Sequence, residues 1–357
     1  MINDSIKKIW ADFWAGKNSE PVYAIKVPKN GKEILPQPPY LSWFNGDFKK
    51  TADEIERWYE SSEFYGAAIP YFNLSFGADD FAAFVGCDLC YAPYNDGSGG
   101  GTSWAQPILK NLKNVNIRFD PDGKWWNRIS EFHYILKQRF GDAVMISPPT
   151  LSANLDALSA LYGQEPLLLD LIDSPELVKN ALDQINAAYT EAVKACVKLF
   201  DIEKQGSVNR HGAYSSGFMC VVQCDFSCMI SPQFFDKFAV PAMEHEFSFI
   251  EGGEYHLDGP GALKHLDRLL KVKGLDMIQW VSGSGFGETQ DWTDLYRRVL
   301  KSGRNLLMGT SAENAENHLK KYKSKNIYLT VHGIKTKTEA EDFLSGAGKL
   351  KGHYDIA

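Results

Sequence analysis

The stretch Tyr255-His256-Leu257-Asp258-Gly259-Pro260-Gly261 sets an imidazole and a carboxylate two residues apart, just ahead of a Gly-Pro-Gly break. In an extended strand, residues i and i+2 point to one face, so the two side chains are presented together. The glycines and the proline then end the strand and allow close backbone approach. Polar groups aimed together from a strand's end, just before a helix, are how α/β barrels display chemistry. The bland alternative is a hydrogen-bonded histidine, with Asp258 capping the helix that starts near Gly261. A second histidine, in Thr330-Val331-His332-Gly333, again leaves an apolar run at its C-terminal end.

Other residues are candidates for the same site. Arg210 is suited to clamp a substrate carboxylate or sulfonate and His211 to donate a proton, though a surface location serves Asn209-Arg210-His211 equally well. Asp225, between Cys224 and Phe226, is a further polar candidate, with an Asx turn as its ordinary role. Tyr71 and Asn73 end the first predicted strand of the alternating region, and Gln279 and Trp280 end another; all are placed to line a pocket. Cys220, Cys224 and Cys228 recur every four residues, which puts them roughly on one side, against the ordinary role of cysteine as a small buried apolar residue. Cys87 and Cys90 have metal or redox spacing but no second pair nearby, and read as core.

These residues need elements to position them. Short apolar runs at 67–72, 143–146, 217–222, 255–257, 277–281, 305–308 and 327–331 alternate with helical periodicity at 126–140, 175–200, 232–249, 262–272, 292–301, 312–323 and 338–344. Seven or eight such units predict an α/β fold, a (β/α)8 TIM barrel, which displays chemistry at the C-terminal ends of its strands. No Gly-x-Gly-x-x-Gly follows the first strand, which counts against a dinucleotide fold. Residues 1–65 read as an N-terminal helical extension, with helices at 6–14 and 51–64 around a Pro-rich connector, Thr51 and Glu54 forming a capping box. Residues 66–357 form the barrel. Within it, 92–106, with Asp96-Gly97-Ser98-Gly99-Gly100-Gly101, reads as a mobile loop, either a lid or a solvated excursion.

Composition narrows the function classes. The chain has 357 residues, 44% hydrophobic, enough for a sizeable core. Its net charge of −7 argues against a nucleic-acid partner, since phosphate binding needs a basic face. No apolar run of about 18 residues is present, so no membrane span is expected. Six cysteines in so long a chain do not look like a disulfide framework, and a reducing cytoplasm is the expected location. Nothing in the chain indicates an oligomeric state.

Taken in order, several segments resemble the uroporphyrinogen decarboxylase superfamily of (β/α)8 barrels, from about residue 65 onward. They are Phe76-Gly77-Ala78-Asp79-Asp80-Phe81-Ala82-Ala83-Phe84-Val85-Gly86, the stretch from Leu151 to Glu176 with Asp173-Ser174-Pro175-Glu176, Cys224-Asp225-Phe226-Ser227-Cys228-Met229-Ile230-Ser231-Pro232, the His256 motif, and His332-Gly333-Ile334. The family contains heme-pathway decarboxylases and zinc-dependent methyltransferases that move methyl groups between corrinoid proteins and thiols. The arginine-bearing N-terminal segment of the decarboxylases has no counterpart here, where Leu41-Ser42-Trp43-Phe44-Asn45-Gly46 stands instead, and a polycarboxylate substrate needs such cations. The methyltransferase branch holds zinc with His-x-Cys and a later cysteine. At the matching positions this chain has His256-x-Asp258 and, later, His332.

The resemblance thus implies a metal-dependent methyltransferase moving a methyl group between a corrinoid protein or a methylated small molecule and a thiol. His256, Asp258 and His332 would hold zinc or another divalent metal, with Cys224 or Cys228, which flank Asp225 in the matching loop, as alternative ligands; Asp225, His256 and His332 would act in catalysis, and Tyr71, Asn73, Arg210 and Gln279 would bind substrate. The alternative is a decarboxylase or lyase without metal, using His256, Asp225 and His332 as proton donors. A third reading is a barrel that binds a small molecule without turning it over.

Overall fold

The computed structural model describes residues 2–29, 32–38, 40–94, 101–283 and 291–348. Its strands are β1 (Val22–Pro28), β2 (Ser62–Gly66), β3 (Tyr71–Asn73), β4 (Leu89–Pro93), β5 (Gly101–Ala105), β6 (Met145–Ser147) and β7 (Ser207–Val208). They continue with β8 (Tyr214–Ser215), β9 (Val221–Gln223), β10 (Glu254–Asp258), β11 (Met277–Val281), β12 (Asn305–Ser311) and β13 (Ile327–His332). The main sheet has the order β2-β1-β13-β12-β11-β10-β9, parallel except for β2, which runs antiparallel to β1 along one edge. The strands β3 and β6 form a separate parallel pair, and β4–β5 and β7–β8 are hairpins.

The fold is therefore α/β with a mostly parallel sheet, but the described residues do not hydrogen-bond into the closed eight-stranded ring expected from sequence. Pro70 precedes β3 and Pro148-Pro149 follows β6. Backbone bonding of this pair reaches just past the strands, from the Met145 N–H to Pro70 O at 2.9 Å and from the Leu74 N–H to Ser147 O at 3.4 Å.

The N-terminal region also differs from the helical extension expected there. Helix Asp4–Trp14 is present, but β1 follows it and pairs with β13, from Val22↔Tyr328 to Ile25↔Val331. A short helix at Tyr40–Phe44 comes next, and the helix expected at 51–64 spans Phe48–Glu60, with no capping box at Thr51. Thr51 lies one turn inside, its hydroxyl donating to Asp47 O at 2.9 Å. The predicted helix 232–249 is interrupted by a wide π turn at Phe235–Ala239. Pro241 cannot supply the N–H that an α-turn would direct to Lys237 O. The long helix Pro175–Leu199 matches its expected span, with proline in its first turn. Of the stretch 92–106 expected as a mobile loop, residues 95–100 lie outside the described residues, and the parts on either side are not loop but the paired strands β4 and β5, joined from Leu89↔Ala105 to Pro93↔Gly101.

Both faces of the main sheet are covered. Ile278, Leu306 and Leu329 pack in the large core under the outer helices, whereas Met277, Leu307, Tyr328 and Val22 alternate with them and join a second cluster. Helix Asp4–Trp14 closes that second cluster: the Trp10 ring meets Tyr328 edge-on at 4.8 Å, and its indole N–H donates to Ala67 O at 3.3 Å. Double-sided burial is why these strands read as nearly continuous apolar runs.

Candidate active site

One row across the second face breaks the apolar pattern. Gln223 of β9, His256 of β10 and Gln279 of β11 are register partners, and the same row continues into Leu307 and Tyr328. The three polar residues thus share a face, with the apolar cluster beside them. Period-two alternation adds Glu254 below His256 and Asp258 above it.

At the upper end of this row Asp225, His256 and Asp258 converge: one ligand atom from each lies within 4.8 Å of the others. Among the described residues this is the one group of three His, Cys, Asp or Glu side chains so arranged. The His256 Nδ1 faces the Gln279 carbonyl oxygen, an acceptor, so Nδ1 carries the proton and Nε2 keeps a free lone pair. Burial, reinforced by the Arg210 charge, pushes this imidazole down to about 4, so it is neutral at physiological pH. Asp258 is pushed up by burial, and its Oδ1 is buried without a hydrogen-bond partner among the described residues. A carboxylate oxygen stranded beside a neutral imidazole and a second carboxylate is what a divalent cation would satisfy.

Asp225 reaches the group from the 3-10 turn Asp225–Met229 that follows β9. The turn is pinned by Asp156, whose two oxygens accept the N–H groups of Asp225 and Phe226, both at 2.9 Å. Burial raises both carboxyls, and their mutual repulsion adds to the shift at Asp225. Asp156 stands in the first turn of helix Asn154–Tyr162. That helix is anchored by Asn154, which donates to Gln223 O at 2.9 Å and Glu246 Oε1 at 2.6 Å.

A second polar chain runs below. Arg210 donates to Gln223 Oε1 at 2.8 Å, and the Gln223 amide donates to Asp225 Oδ2 at 3.1 Å, so the guanidinium steers Asp225 through one intermediary. His211 bonds the buried Glu254 through Nδ1, and Asn209 donates to the other Glu254 oxygen at 2.7 Å. Burial works to raise Glu254, but His211, Asn209 and Arg210 together hold it below the usual carboxylate range. The His211 and His256 rings are 6.3 Å apart. The bend that carries Arg210 and His211 is an Asx turn, with Asn209 Oδ1 accepting the N–H groups of His211 and Ala213.

The candidates named from sequence separate accordingly. His256, Asp258 and Asp225 come together, Arg210 and Gln279 orient them, and His211 finds a carboxylate partner. His332 closes β13 as an exposed residue and is not in the converging group; Asp225 takes the third position instead. Neither Cys224 nor Cys228 joins the group: Cys224 is buried with its thiol pushed well above its ordinary value, and Cys228 is exposed. Cys90, expected in the core with Cys87, is exposed. Tyr71 donates to Arg210 O at 2.9 Å and Asn73 accepts from Ser147 at 3.3 Å, so both brace the surrounding strands. Asp156, Gln223 and Glu254 went unnoticed in the sequence. Glu254 was accessible to it, being two residues before His256 and therefore on the same strand face.

No protein-family profile and no curated protein matches the chain. Among solved structures, its fold is similar to that of a methyltransferase from Methanosarcina mazei, with a TM-score of 0.60 and 12% identity over 97% of this chain and 98% of that one. At that identity the likeness is one of fold. No helix among the described residues is long and apolar enough to cross a membrane.

Proposed function

We propose that this chain is a metal-dependent methyltransferase of the uroporphyrinogen decarboxylase type, moving a methyl group from a corrinoid protein or a methylated small molecule to a thiol. The observation that carries the reading is the convergence of Asp225, His256 and Asp258 around an unpartnered carboxylate oxygen. The similarity of fold to a protein named as a methyltransferase supports it. The donor set, one imidazole and two carboxylates, is harder than a thiolate set and suits zinc or another divalent ion.

When bound, such an ion would hold the acceptor thiol as thiolate at neutral pH. The chain's own residues do the rest. Gln279 fixes the His256 tautomer with Nε2 free, and Arg210 orients Asp225 through Gln223. Asp156 holds the turn that delivers Asp225. The His211–Glu254 pair leaves Nε2 of His211 free to take up or return the proton that the thiol loses. The metal-free decarboxylase reading is weaker, because three carboxylates, Asp79, Asp156 and Asp258, act on Asp225 against the single guanidinium of Arg210, and together they would repel a polycarboxylate.

Elemental analysis of protein purified without chelator tests this. About one divalent ion per chain is expected, lost in His256→Ala and Asp258→Ala and retained in His332→Ala. Folded wild-type protein free of metal, and unable to take up zinc on addition, would refute the assignment.

A further inference from the structure

A cleft of about 440 Å³ adjoins the converging group and shares Asp225 with it. Asp79, Asp156 and Asp225 supply three carboxylates to its wall, and no lysine or arginine is among the described residues lining it. The nearby cations are engaged elsewhere: Arg210 on Gln223, and Lys264 on Cys228 O at 2.8 Å. Trp104, 57% exposed, and Met229 add a soft, polarisable side. Ser152 also lines the cleft; it is only 4% exposed, and its Oγ has no hydrogen-bond partner among the described residues. A buried hydroxyl left without a partner costs stability unless a ligand completes it.

Asp79 and Asp156 belong to no group of three ligand atoms within 4.8 Å. An acidic wall beside an exposed indole suits a bulky cation whose charge is spread over alkyl groups, of the kind that indole faces also bind.

We infer that this cleft binds a methylated ammonium group, and that such a small molecule is the methyl donor. The inference rests on the methyl-transfer reading above for the donor role, but not for binding. A tertiary ammonium matches each wall: its positive charge meets the carboxylates, its methyl groups meet Trp104 and Met229, and its single N–H donates to Ser152 Oγ. Transfer balances without an added reagent. The thiolate sulfur forms a bond to the methyl carbon, the C–N bond breaks with its electron pair staying on nitrogen, and a neutral amine and a thioether leave.

Calorimetric titration of the full chain with trimethylammonium, tetramethylammonium and the neutral isostere tert-butanol, at constant ionic strength, tests the binding. Saturable binding of both cations and none of tert-butanol is expected. Trp104→Ala should weaken both cations about five-fold, and Ser152→Ala should weaken trimethylammonium alone. Cations that bind no better than tert-butanol, or binding indifferent to both substitutions, would overturn the inference. Cation binding with no thiol methylation from any donor would instead count against the proposed reaction and leave cation recognition standing.

Discussion

Asn154→Ala is expected to lower the melting temperature by about 5 °C. The residue is fully buried and left-handed, with φ of 53°, where helix Asn154–Tyr162 begins. Its amide is the donor to Gln223 O and Glu246 Oε1, both buried. Alanine leaves two acceptors unpaired, at about 1.5 kcal/mol each. It also forces a side chain with no polar compensation into the left-handed region, for about 1 kcal/mol more. Unfolding entropy of about 2.1 cal/mol/K per residue gives about 0.75 kcal/mol per degree for a chain of this length, so the loss of about 4 kcal/mol converts to the stated shift. Asn154→Gly makes the same loss of hydrogen bonds but relieves the backbone, so its decrease should be about 4 °C. Scanning calorimetry measures both. An alanine variant within 1 °C of wild type, or a glycine variant less stable than the alanine one, would refute the reasoning. Since Asp156, two residues on, pins the Asp225 turn, both variants should also bind divalent metal more weakly.

Gln279→Leu strips His256 of the acceptor that sets its tautomer, so metal affinity by chelator competition should fall about 10–100-fold; unchanged affinity would show that the glutamine is incidental. Asp80 is buried beneath the Ser75 hydroxyl and the Phe76 N–H, at 2.7 and 2.8 Å, and burial outweighs these donors, pushing its carboxyl up to about 8. A value raised on folding makes its contribution complete below about pH 4 and lost as the pH rises through 8. Asp80→Asn should therefore flatten urea-derived stability over that window, by up to about 1.4 kcal/mol per pH unit, and an identical slope in the two proteins would contradict this. Trp10→Ala opens a hole at the base of the second cluster, where the ring is 0% exposed, and should cost about 3–5 kcal/mol; a melting temperature within 2 °C of wild type would mean that the helix is peripheral.

Much of the fold was legible locally. Periodicity placed β11 at its observed bounds and helix Pro175–Leu199 within a residue, and the two-residue spacing alone put His256 and Asp258 on one face. Period is a property of neighbouring residues, so a single chain carries it openly. What the chain did not display were the partners brought from afar. Val22–Pro28 lies between polar and proline-rich stretches, and becomes a strand because β13, about 300 residues later, offers a ladder for its N–H and C=O groups. Asp225 displaced the expected His332 because Asp156, 69 residues upstream, binds the backbone of its turn and aims it at His256. Which side chains meet at a point depends on loop closure and on the satisfaction of buried polar groups across the whole molecule, and neither leaves a mark in a short window of sequence.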